Sequence, residues 1–485
     1  MQRPSNEDYF GTMNIFYINF SGALARVPEY LGKKHTSRNV HMVVNSDKEV
    51  RVQCRNSMIY RDCILGRFGD IDKYSEYPID SSLLNGLCEC ESDVLKMMDR
   101  YQFAYGLLTY EARINLYHKQ LKYWYNYLLQ ENIDVCFFAV IPHVIFDYII
   151  YCLCKHLNIR TILLYRTTIL LNKNISVYIL NDIEKHICRL AECYRYHLAN
   201  PDKTKLSERM LAYFDLKYGN KEKTFTGVEI KKRDLKKYLS PERYIKSLSH
   251  RIAFARSWMK LWGRPLDLLY RFIYKISFLS QSKPIFQNNP DFNRRFIYVA
   301  LHYQPECSTS PMGGSFVHQD LMIDILMKSV PKDIMIYVKA HLRDGMSRML
   351  FKRIRADDRT VLIDPSLNSF DLITKSVAVA TITGTSGWEA FLNNKPVLMF
   401  GNYFYQDAPG VFKIKTVKDS VSAISMMLDG KCVISDDMIV AFLKAVDENS
   451  FPGWVDNRYA PMSRLTEDEN CRNIAEHLAA ELMCV

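Results

Sequence analysis

Short apolar runs alternate with longer amphipathic stretches over the first 170 residues. The run NIFYINF, from Asn14 to Phe20, ends in Ser21-Gly22, which predicts a buried strand that enters a small-residue turn. The pattern then predicts a long helix over Leu107–Gln130. A strand, a helix and a strand follow, over Asp134–Val140, Phe146–His156 and Thr161–Tyr165. Such a βαβ unit predicts a parallel sheet.

A second alternating series begins at Arg295. Its predicted strands are FIYVAL, Ile334–Lys339, Thr360–Ile363, Ala378–Thr381 and Pro396–Phe400. Its predicted helices are Phe316–Ser329, Met346–Arg355, Phe370–Ser376, Gly387–Leu392, Val421–Leu428 and Cys471–Met483. The fold class is therefore predicted as α/β, with two Rossmann-like domains. A ligand is expected in the cleft between them, at the carboxyl ends of the strands.

The alternation fades in the middle of the chain. We expect an N-terminal Rossmann-like domain over residues 1–204, a basic helical insertion and linker over 205–290, and a C-terminal Rossmann-like domain over 291–485. A chain of 485 residues suits two domains better than one.

Positive charge is concentrated in the middle segment. The whole chain carries a net charge of +11, and residues 221–275 hold 15 Lys and Arg against 5 Asp and Glu, a net +10. An apolar stripe runs beside this charge, formed by Trp258, Leu261, Trp262, Leu268, Leu269, Phe272 and Ile273. This combination favours an anionic membrane surface as a partner, rather than a nucleic acid. The alternative is that the stripe packs against the N-terminal domain and the charges are solvated.

The remaining composition indicates a cytoplasmic protein, which the basic segment would place peripherally on the inner face of the cell membrane. MQRPSNEDYF lacks the apolar segment of a signal peptide. The thirteen cysteines lack the pair spacing of structural zinc sites, so we expect reduced thiols, no metal and no cofactor. Asp70-Ile71-Asp72 resembles a metal-binding D-x-D, but such a tripeptide is common by chance.

The most informative segment is VATITGTSGWEAFLNNKPVLMFG, residues 379–401. Thr383, Gly384, Thr385, Ser386 and Gly387 lie where a strand ends and a helix begins. The first N–H groups of a helix lack internal partners and the helix dipole is positive there, so this turn suits a nucleotide phosphate. The alternative is a capping box, in which Ser386 and Glu389 only satisfy the helix start.

Two further groups of polar residues follow strands in the same half. LHYQPECSTSPMGG places Glu306 among small residues and His302 nearby, and a carboxylate there can act as a base or nucleophile. IYVKAH places Lys339 and His341 at the next strand end, where both can donate to phosphate. The alternative is that these groups belong to ordinary loops and strand ends.

One candidate cluster lies in the first half. His143 and Asp147 stand four residues apart at a strand-to-helix turn, so they share one helix face and are expected to meet the cleft. Arg166 follows the next predicted strand. The alternative is that these residues only begin the helix.

The three segments of the second half, with LIDPSLNSFDLITKSVAVATITGTSG, together resemble the bacterial capsule polysaccharide synthesis family. The resemblance covers residues 295–413 and extends to IPHVIFDYIIY in the first half. Its best-understood members are glycosyltransferases of GT-B fold, several of them β-Kdo transferases that use CMP-Kdo. The family holds the nucleotide with a Lys-x-His-Pro segment and a Ser/Thr-rich turn, which match Lys339, His341 and residues 383–386. Leu342 stands where the family often has proline.

The resemblance implies a metal-independent GT-B glycosyltransferase of surface polysaccharide synthesis. The nucleotide-activated donor would bind the C-terminal half, with CMP-Kdo as one candidate, and a glycan or lipid-linked acceptor would bind the N-terminal half. The expected catalytic residues are Glu306, His341, His143 and Asp147. The expected nucleotide-binding residues are Lys339, His341, Thr383, Gly384, Thr385, Ser386 and Glu389.

Two alternatives stay open. One is a related enzyme that transfers a polyol phosphate from a CDP donor, as teichoic-acid polymerases do. The other is a scaffold without catalytic activity that binds nucleotide or glycan within a capsule assembly complex.

Overall fold

The computed structural model describes residues 13–34, 37–101, 109–171, 174–183, 187–219, 286–304, 306–341 and 348–483. The basic segment 221–275 and Leu342 lie outside the described residues, so their predicted roles stay predictions.

The first sheet has seven strands in the order β13-β6-β5-β4-β1-β2-β3. The five strands from β3 to β5 are parallel, whereas β6 is antiparallel to β5, and β13 to β6. The strands are β1 Asn14–Ile18, β2 Asn39–Val44, β3 Asn56–Ile59, β4 Val135–Phe138, β5 Arg160–Leu171, β6 Asn174–Leu180 and β13 Phe451–Gly453.

The second sheet has six parallel strands in the order β12-β11-β10-β7-β8-β9. They are β7 Phe296–Ala300, β8 Met335–Lys339, β9 Thr360–Ile363, β10 Ala378–Thr381, β11 Val397–Met399 and β12 Val411–Lys413. Read from β9 to β12, the order is that of a Rossmann sheet, in which successive strands first extend one way and then the other from β7. The predicted α/β class with two Rossmann-like sheets is confirmed.

Helices connect the strands of both sheets. In the first half they are α1 Val27–Lys34, α2 Tyr60–Leu65, α3 Ser81–Gly86, α4 Cys88–Met97, α5 Tyr110–Gln130, α6 Ile145–His156, α7 Ile187–Ala199 and α8 Glu208–Gly219. In the second half they are α9 Gln319–Ser329, α10 Arg348–Ile354, α11 Ser369–Lys375, α12 Thr385–Leu392, α13 Val417–Leu428, α14 Asp436–Glu448 and α15 Glu467–Met483.

Strand β1 shows how the sequence forms the core. Its residues are buried on both faces, and alternate side chains enter two different apolar clusters. Phe16 and Ile18 join the larger cluster, which extends into the second sheet. Ile15 and Tyr17 join the other cluster, which includes residues of α1 and α15. The unbroken apolar run is therefore the signature of a central parallel strand.

The C-terminal segment returns to the first sheet. Strand β13 pairs with β6, and α15 packs against α1. The Cys471 thiol donates to the Ala23 carbonyl at 2.9 Å. Arg160 donates to the carbonyls of Glu481 and Leu482 at 2.7 and 3.0 Å, which satisfies the end of α15. The predicted division at residues 204 and 291 did not foresee this return.

Helix α8 ties the first half to the second by two polar contacts. Arg209 donates to one carboxylate oxygen of Asp447 through both Nε and Nη2, at 2.8 and 2.6 Å. The Trp388 indole donates to the Tyr213 hydroxyl at 2.8 Å, and both side chains are buried.

Removal of the apolar anchor of α15 is expected to destabilise the protein. Leu478 is fully buried, so Leu478→Ala leaves a cavity and should lower the free energy of unfolding by about 2–5 kcal/mol. Leu321→Ala, at a 40% exposed helix position, should change it by no more than about 0.5 kcal/mol. Urea midpoints of the two variants check this. Equal midpoints would show that α15 contributes little to the first sheet.

Candidate functional site

The central pair of strands in the second sheet sets the position of the candidate site. Strands β7 and β10 are parallel neighbours, and the chain leaves them in opposite directions across the sheet. In Rossmann-like sheets the ligand crevice lies at this switch point. The loop that begins at Leu301 and the turn at Ile382–Gly384 both start there, so two of the predicted polar groups come together.

His302 links these two segments. Its Nε2 accepts a hydrogen bond from the Thr383 N–H at 3.2 Å and lies 3.0 Å from Thr381 Oγ1. Its backbone N–H donates to Gln319 Oε1 at 2.8 Å, and the Gln319 amide donates back to its carbonyl at 3.1 Å. Burial, with a smaller effect of His341, lowers the pKa of His302 to about 4. The neutral ring is therefore an acceptor that orders the turn.

The turn has the geometry of an open helix start. Gly384 is the N-cap of α12, and no side chain caps this end. Its N–H donates to Thr381 Oγ1 at 3.1 Å, and Thr383 Oγ1 donates to the Ser308 carbonyl at 2.7 Å. Ser386 lies inside the first turn of α12, so the capping-box alternative is wrong. Thr385 and Ser386 are half-buried, which leaves them accessible beside the first N–H groups of α12.

Close packing under the turn explains one glycine. A Cβ at Gly387 would overlap the Tyr405 hydroxyl, which donates to the Gly384 carbonyl. The turn is thus held from below by a buried tyrosine.

A half-buried lysine and a buried glutamate lie close to the turn. Lys339, the last residue of β8, donates to Ser369 Oγ at 2.8 Å and to the Leu367 carbonyl. Burial lowers the pKa of Lys339 to about 8, although Glu389 and Asp364 act in the other direction. Burial raises the pKa of Glu389, on α12, to about 7, against the effect of Lys339. Each charge is costly alone, so an anion at the turn would gain from the Lys339 cation.

Tyr298 connects the lysine and the turn. It lies on β7, and its hydroxyl interacts with Ser369 and Ser386, while burial raises its pKa to about 12. Ser369, which accepts from Lys339, and Ser386 of the turn therefore both contact the Tyr298 hydroxyl.

Glu306 and His341 are the exposed members of the group. The Glu306 backbone carbonyl accepts from the N–H groups of Thr309 and Ser310, which fixes the loop, while its side chain is exposed. His341 is also exposed, and its ring lies 5.8 Å from that of Tyr303. Both side chains lie on segments that follow neighbouring strands, and both are in reach of solvent.

The first sheet has its own polar group at the switch point between β1 and β4. Asp147 is fully buried, accepts from the Val144 N–H at 2.8 Å and accepts from the Asn19 amide at 3.2 Å. Asn19 directly follows β1 and has a positive φ of 66°. His143 is half-buried, and its Nδ1–H donates to the Ile141 carbonyl at 2.6 Å. Asp147 thus orders the helix start and the end of β1.

The carboxyl edges of the two sheets contact each other. Tyr165 of β5 has ring contact with Tyr403 of the second half, with centroids 5.8 Å apart. Burial raises the pKa of Tyr165, and Tyr403 and Cys307 add to the rise. Since Cys307 belongs to the loop of Glu306, the first sheet and this loop are close. Arg166 lies over the Tyr459 ring at 4.1 Å.

Several residues of the site were not predicted. Gln319, Tyr298, Ser369 and Asn19 have no motif of their own, and Asn19 was placed inside the predicted first strand. Only their positions in the sequence indicated a role. Asn19 directly follows β1, and Ser369 begins α11 after β9, both at the carboxyl edge of a sheet.

Two other features lie apart from this site. A cavity of about 730 Å³ is lined by residues at the amino ends of β1 and β2, among them Asn39 and Arg38. Ligands of Rossmann-like sheets bind at the opposite edge, where the turn at Gly384 lies. Asp70 accepts from the Tyr123 hydroxyl at 3.0 Å, which gives this carboxylate a structural contact.

A comparison with known families matches part of this chain. Residues 223–422 match the family model described as "Capsule polysaccharide biosynthesis protein". The resemblance to the capsule polysaccharide synthesis family is confirmed. The matched part holds β7 to β12 and every candidate residue of the second half. No curated protein matches the chain.

Solved structures with a similar fold include KpsC, a β-Kdo 2,7-transferase from Thermosulfurimonas dismutans. It is 11% identical, covers 78% of this chain and 95% of its own, and has a TM-score of 0.32. MnaA of S. aureus with UDP is 10% identical, covers 98% of each chain and has a TM-score of 0.26. A UDP-GlcNAc 2-epimerase from Neisseria meningitidis, bound to UDP-GlcNAc, is 11% identical and has a TM-score of 0.25. It covers 98% of this chain and 100% of its own. TM-scores in this range give no evidence on activity.

Within the described ranges, no helix combines the length and the apolar character needed to cross a membrane.

The buried Glu389 is expected to make stability depend on pH. Because its folded pKa of about 7 exceeds the ordinary 4.5, the native state keeps a proton that the unfolded chain releases. The contribution of this proton to the free energy of unfolding is complete below pH 4.5 and is lost as the pH rises to about 7. The free energy of unfolding of Glu389→Gln, relative to that of the parent, should thus rise by on the order of 2–3 kcal/mol between pH 5 and pH 7.5.

Urea unfolding at the two pH values measures this difference. Glu476→Gln, at an exposed position of α15, is the matched control and should follow the parent at both. A difference between Glu389→Gln and the parent that is independent of pH would contradict the buried, protonated carboxyl.

Proposed function

We propose that this protein is a glycosyltransferase of GT-B type in surface polysaccharide assembly. It transfers a sugar from a nucleotide donor to a glycan or lipid-linked acceptor, with CMP-Kdo as the first donor to test. The observation that carries the proposal is the half-buried Lys339 cation near the open helix start at Gly384, within the part of the chain that matches the capsule family.

The donor phosphate would lie at the turn. The N–H groups at the start of α12 and the hydroxyls of Thr385 and Ser386 would donate to its oxygens. Lys339 would supply charge from below, and His341 would donate from the exposed side. These groups stabilise the negative charge that develops on the nucleotide when the bond from the anomeric carbon to the phosphate oxygen breaks. In this proposal side chains and backbone, not a metal, carry that stabilisation.

The acceptor would enter from the first sheet. Glu306 would take the proton of the acceptor hydroxyl while that oxygen forms the new bond to the anomeric carbon. Its exposure supports this role, and its loop lies near Tyr165 of the first sheet. The burial of Asp147 favours a positioning role, in which it holds Asn19 and the start of α6. His143 would contact the acceptor beside it.

The basic segment supports a location at the inner face of the cell membrane. Residues 221–275 would bring the enzyme to anionic lipid at the inner face of the cell membrane, where a lipid-linked acceptor would be reached. Their net +10 charge supports this part of the proposal.

The phosphate turn is tested by nucleotide affinity. Ser386→Val removes a donor and adds bulk at the helix start, so it should weaken binding of CMP, UDP or CDP by on the order of 1–3 kcal/mol. Ser422→Val makes the same change at an exposed position of α13 and should leave the affinity unchanged. Calorimetry with all three nucleotides measures the effect. Equal affinities for the parent and Ser386→Val would remove the turn from the site.

Turnover tests the reacting groups. With CMP-Kdo, CMP-sialic acid, UDP-sugars and CDP-glycerol offered in parallel, the parent should consume one donor class. Glu306→Gln and His341→Ala should keep the fold and lose roughly a hundredfold or more in rate. Glu476→Gln serves as the control. Parental rates in both site variants would refute these roles, and consumption of CDP-glycerol alone would indicate polyol phosphate transfer instead.

A further inference from the structure

Two helix ends meet at a polar cluster that the proposed reaction does not use. Helix α7 follows the first sheet, and α14 belongs to the second half and packs against it. His197 lies in the last turn of α7, and Glu448 is the last residue of α14. The carboxyl end of a helix carries partial negative charge, so this meeting point attracts a cation. The charge of the Glu448 carboxylate adds to that attraction.

Three potential ligand atoms converge at this point. Cys193 and His197 are four residues apart on α7 and therefore share one face. Glu448 Oε2 lies 2.8 Å from His197 Nε2 and 3.4 Å from Cys193 Sγ, and all three atoms lie within 4.8 Å of one another. A thiolate, an imidazole and a carboxylate are the ligand types of zinc.

Two of the three separations are close to those of a zinc site, and the third, from Sγ to Nε2, is no more than 4.8 Å. Bond lengths of about 2.0–2.3 Å in a tetrahedron separate the ligand atoms by roughly 3.3–3.7 Å. The distance from Sγ to Oε2 already fits, and the distance from Nε2 to Oε2 has to widen by roughly 0.5 Å. Glu448 can supply this movement, because its side chain is 45% exposed.

The contacts around the cluster orient the same ligand atoms. Thr204 Oγ1 lies 3.2 Å from His197 Nδ1. Its own proton is donated to a backbone carbonyl, either that of His197 at 2.9 Å or that of Asn200 at 2.8 Å. It thus accepts from Nδ1–H, which leaves the lone pair of a neutral ring on Nε2. Lys444 Nζ lies 3.1 Å from Glu448 Oε1, so Oε2 is the oxygen that faces the cluster. Outer partners of this kind are typical of metal ligands.

Some cation is required between Nε2 and Oε2. Two lone-pair atoms at 2.8 Å repel unless a proton or a metal ion lies between them. A proton satisfies these two atoms, and the Cys193 thiol then donates a weak hydrogen bond to Glu448 Oε2 at 3.4 Å. A metal ion would bond all three.

We propose that Cys193, His197 and Glu448 bind one zinc ion, with water in the fourth position, and that the ion fastens α7 to α14. The site is structural and independent of the nucleotide site, and its ligands come from both halves of the chain. Binding releases two protons to solvent, the one on the Cys193 thiol and the one shared by His197 Nε2 and Glu448 Oε2, and no electron is transferred. The exposed side of Glu448 is the path by which the ion enters.

The test uses the full-length, tag-free protein after removal of metal with a chelator. Cobalt(II) serves as the spectroscopic probe, and zinc is then added as competitor. The parent should bind one cobalt ion with a thiolate-to-cobalt charge-transfer band, and one equivalent of zinc should abolish it. Cys193→Ser should lose the band, and Glu448→Gln should weaken affinity at least about tenfold. Cys432→Ser, at another half-buried thiol, should behave as the parent.

Stability without metal controls for misfolding. Glu448→Gln keeps the side-chain shape at a partly exposed position, so its thermal midpoint without metal should stay near that of the parent. Zinc should raise the midpoint of the parent and of Cys432→Ser, but not that of Cys193→Ser. The proposal is overturned if the parent shows no charge-transfer band with saturating cobalt, or if Cys193→Ser gives the same spectrum and the same zinc-induced shift.

Discussion

The parallel pairing of β7 with β10 is the constraint on which the candidate site depends. Its register places Val379 beside Tyr298 and Ala380 beside Val299, so the two chains leave the sheet at the same level. His302 and Thr383 can then form a hydrogen bond although they are 81 residues apart. Without this pairing neither the loop of Glu306 nor the turn at Gly384 would have a fixed partner. Because the strands are buried, the turn inherits the rigidity of the core.

Burial shifts the pKa of two side chains close to the turn at Gly384. Half-buried Lys339 and buried Glu389 are each costly to ionise, because burial disfavours the charged form of both. Lys339 and Glu389 lie beside an uncapped helix start, and an anion there would stabilise the protonated lysine. Lys339 is less easily protonated in the empty protein than it would be beside a phosphate, which supports the proposed anion site at the turn.

The sequence predicted the second sheet closely where strands are short, apolar and bounded by turns. Thr360–Ile363 and Ala378–Thr381 were predicted with the bounds that the structure has. The predicted helix Phe316–Ser329 was longer than α9, because residues 314–317 form a 3₁₀ turn first. Helix α12 begins at Thr385 rather than Gly387, since the open N-cap falls on Gly384 and no side-chain signal marks it.

Long-range partners could not be predicted. The ring of His302 is unremarkable in sequence, and its role depends on the register of β7 against β10. Strand β13 has three residues and acquires its place only by pairing with β6, about 275 residues earlier. The spacing of Cys193 and His197 is a helical repeat that many helices contain, and Glu448 joins it from 251 residues away. Local pattern therefore predicts elements, and the sites form where distant elements meet.

The return of the C-terminal segment gives the two halves a common stability. Helix α14 packs on α7, β13 completes the edge of the first sheet, and α15 covers its face. If the second half were separated at residue 291, the first sheet would lose β13 and α15, and apolar residues such as Leu24 and Leu31 would face water. The two halves are therefore not independent modules joined by one linker. Contacts made by α7, α8 and α14, including the proposed zinc site, act on the relative position of both halves, and hence on the cleft in which transfer would take place.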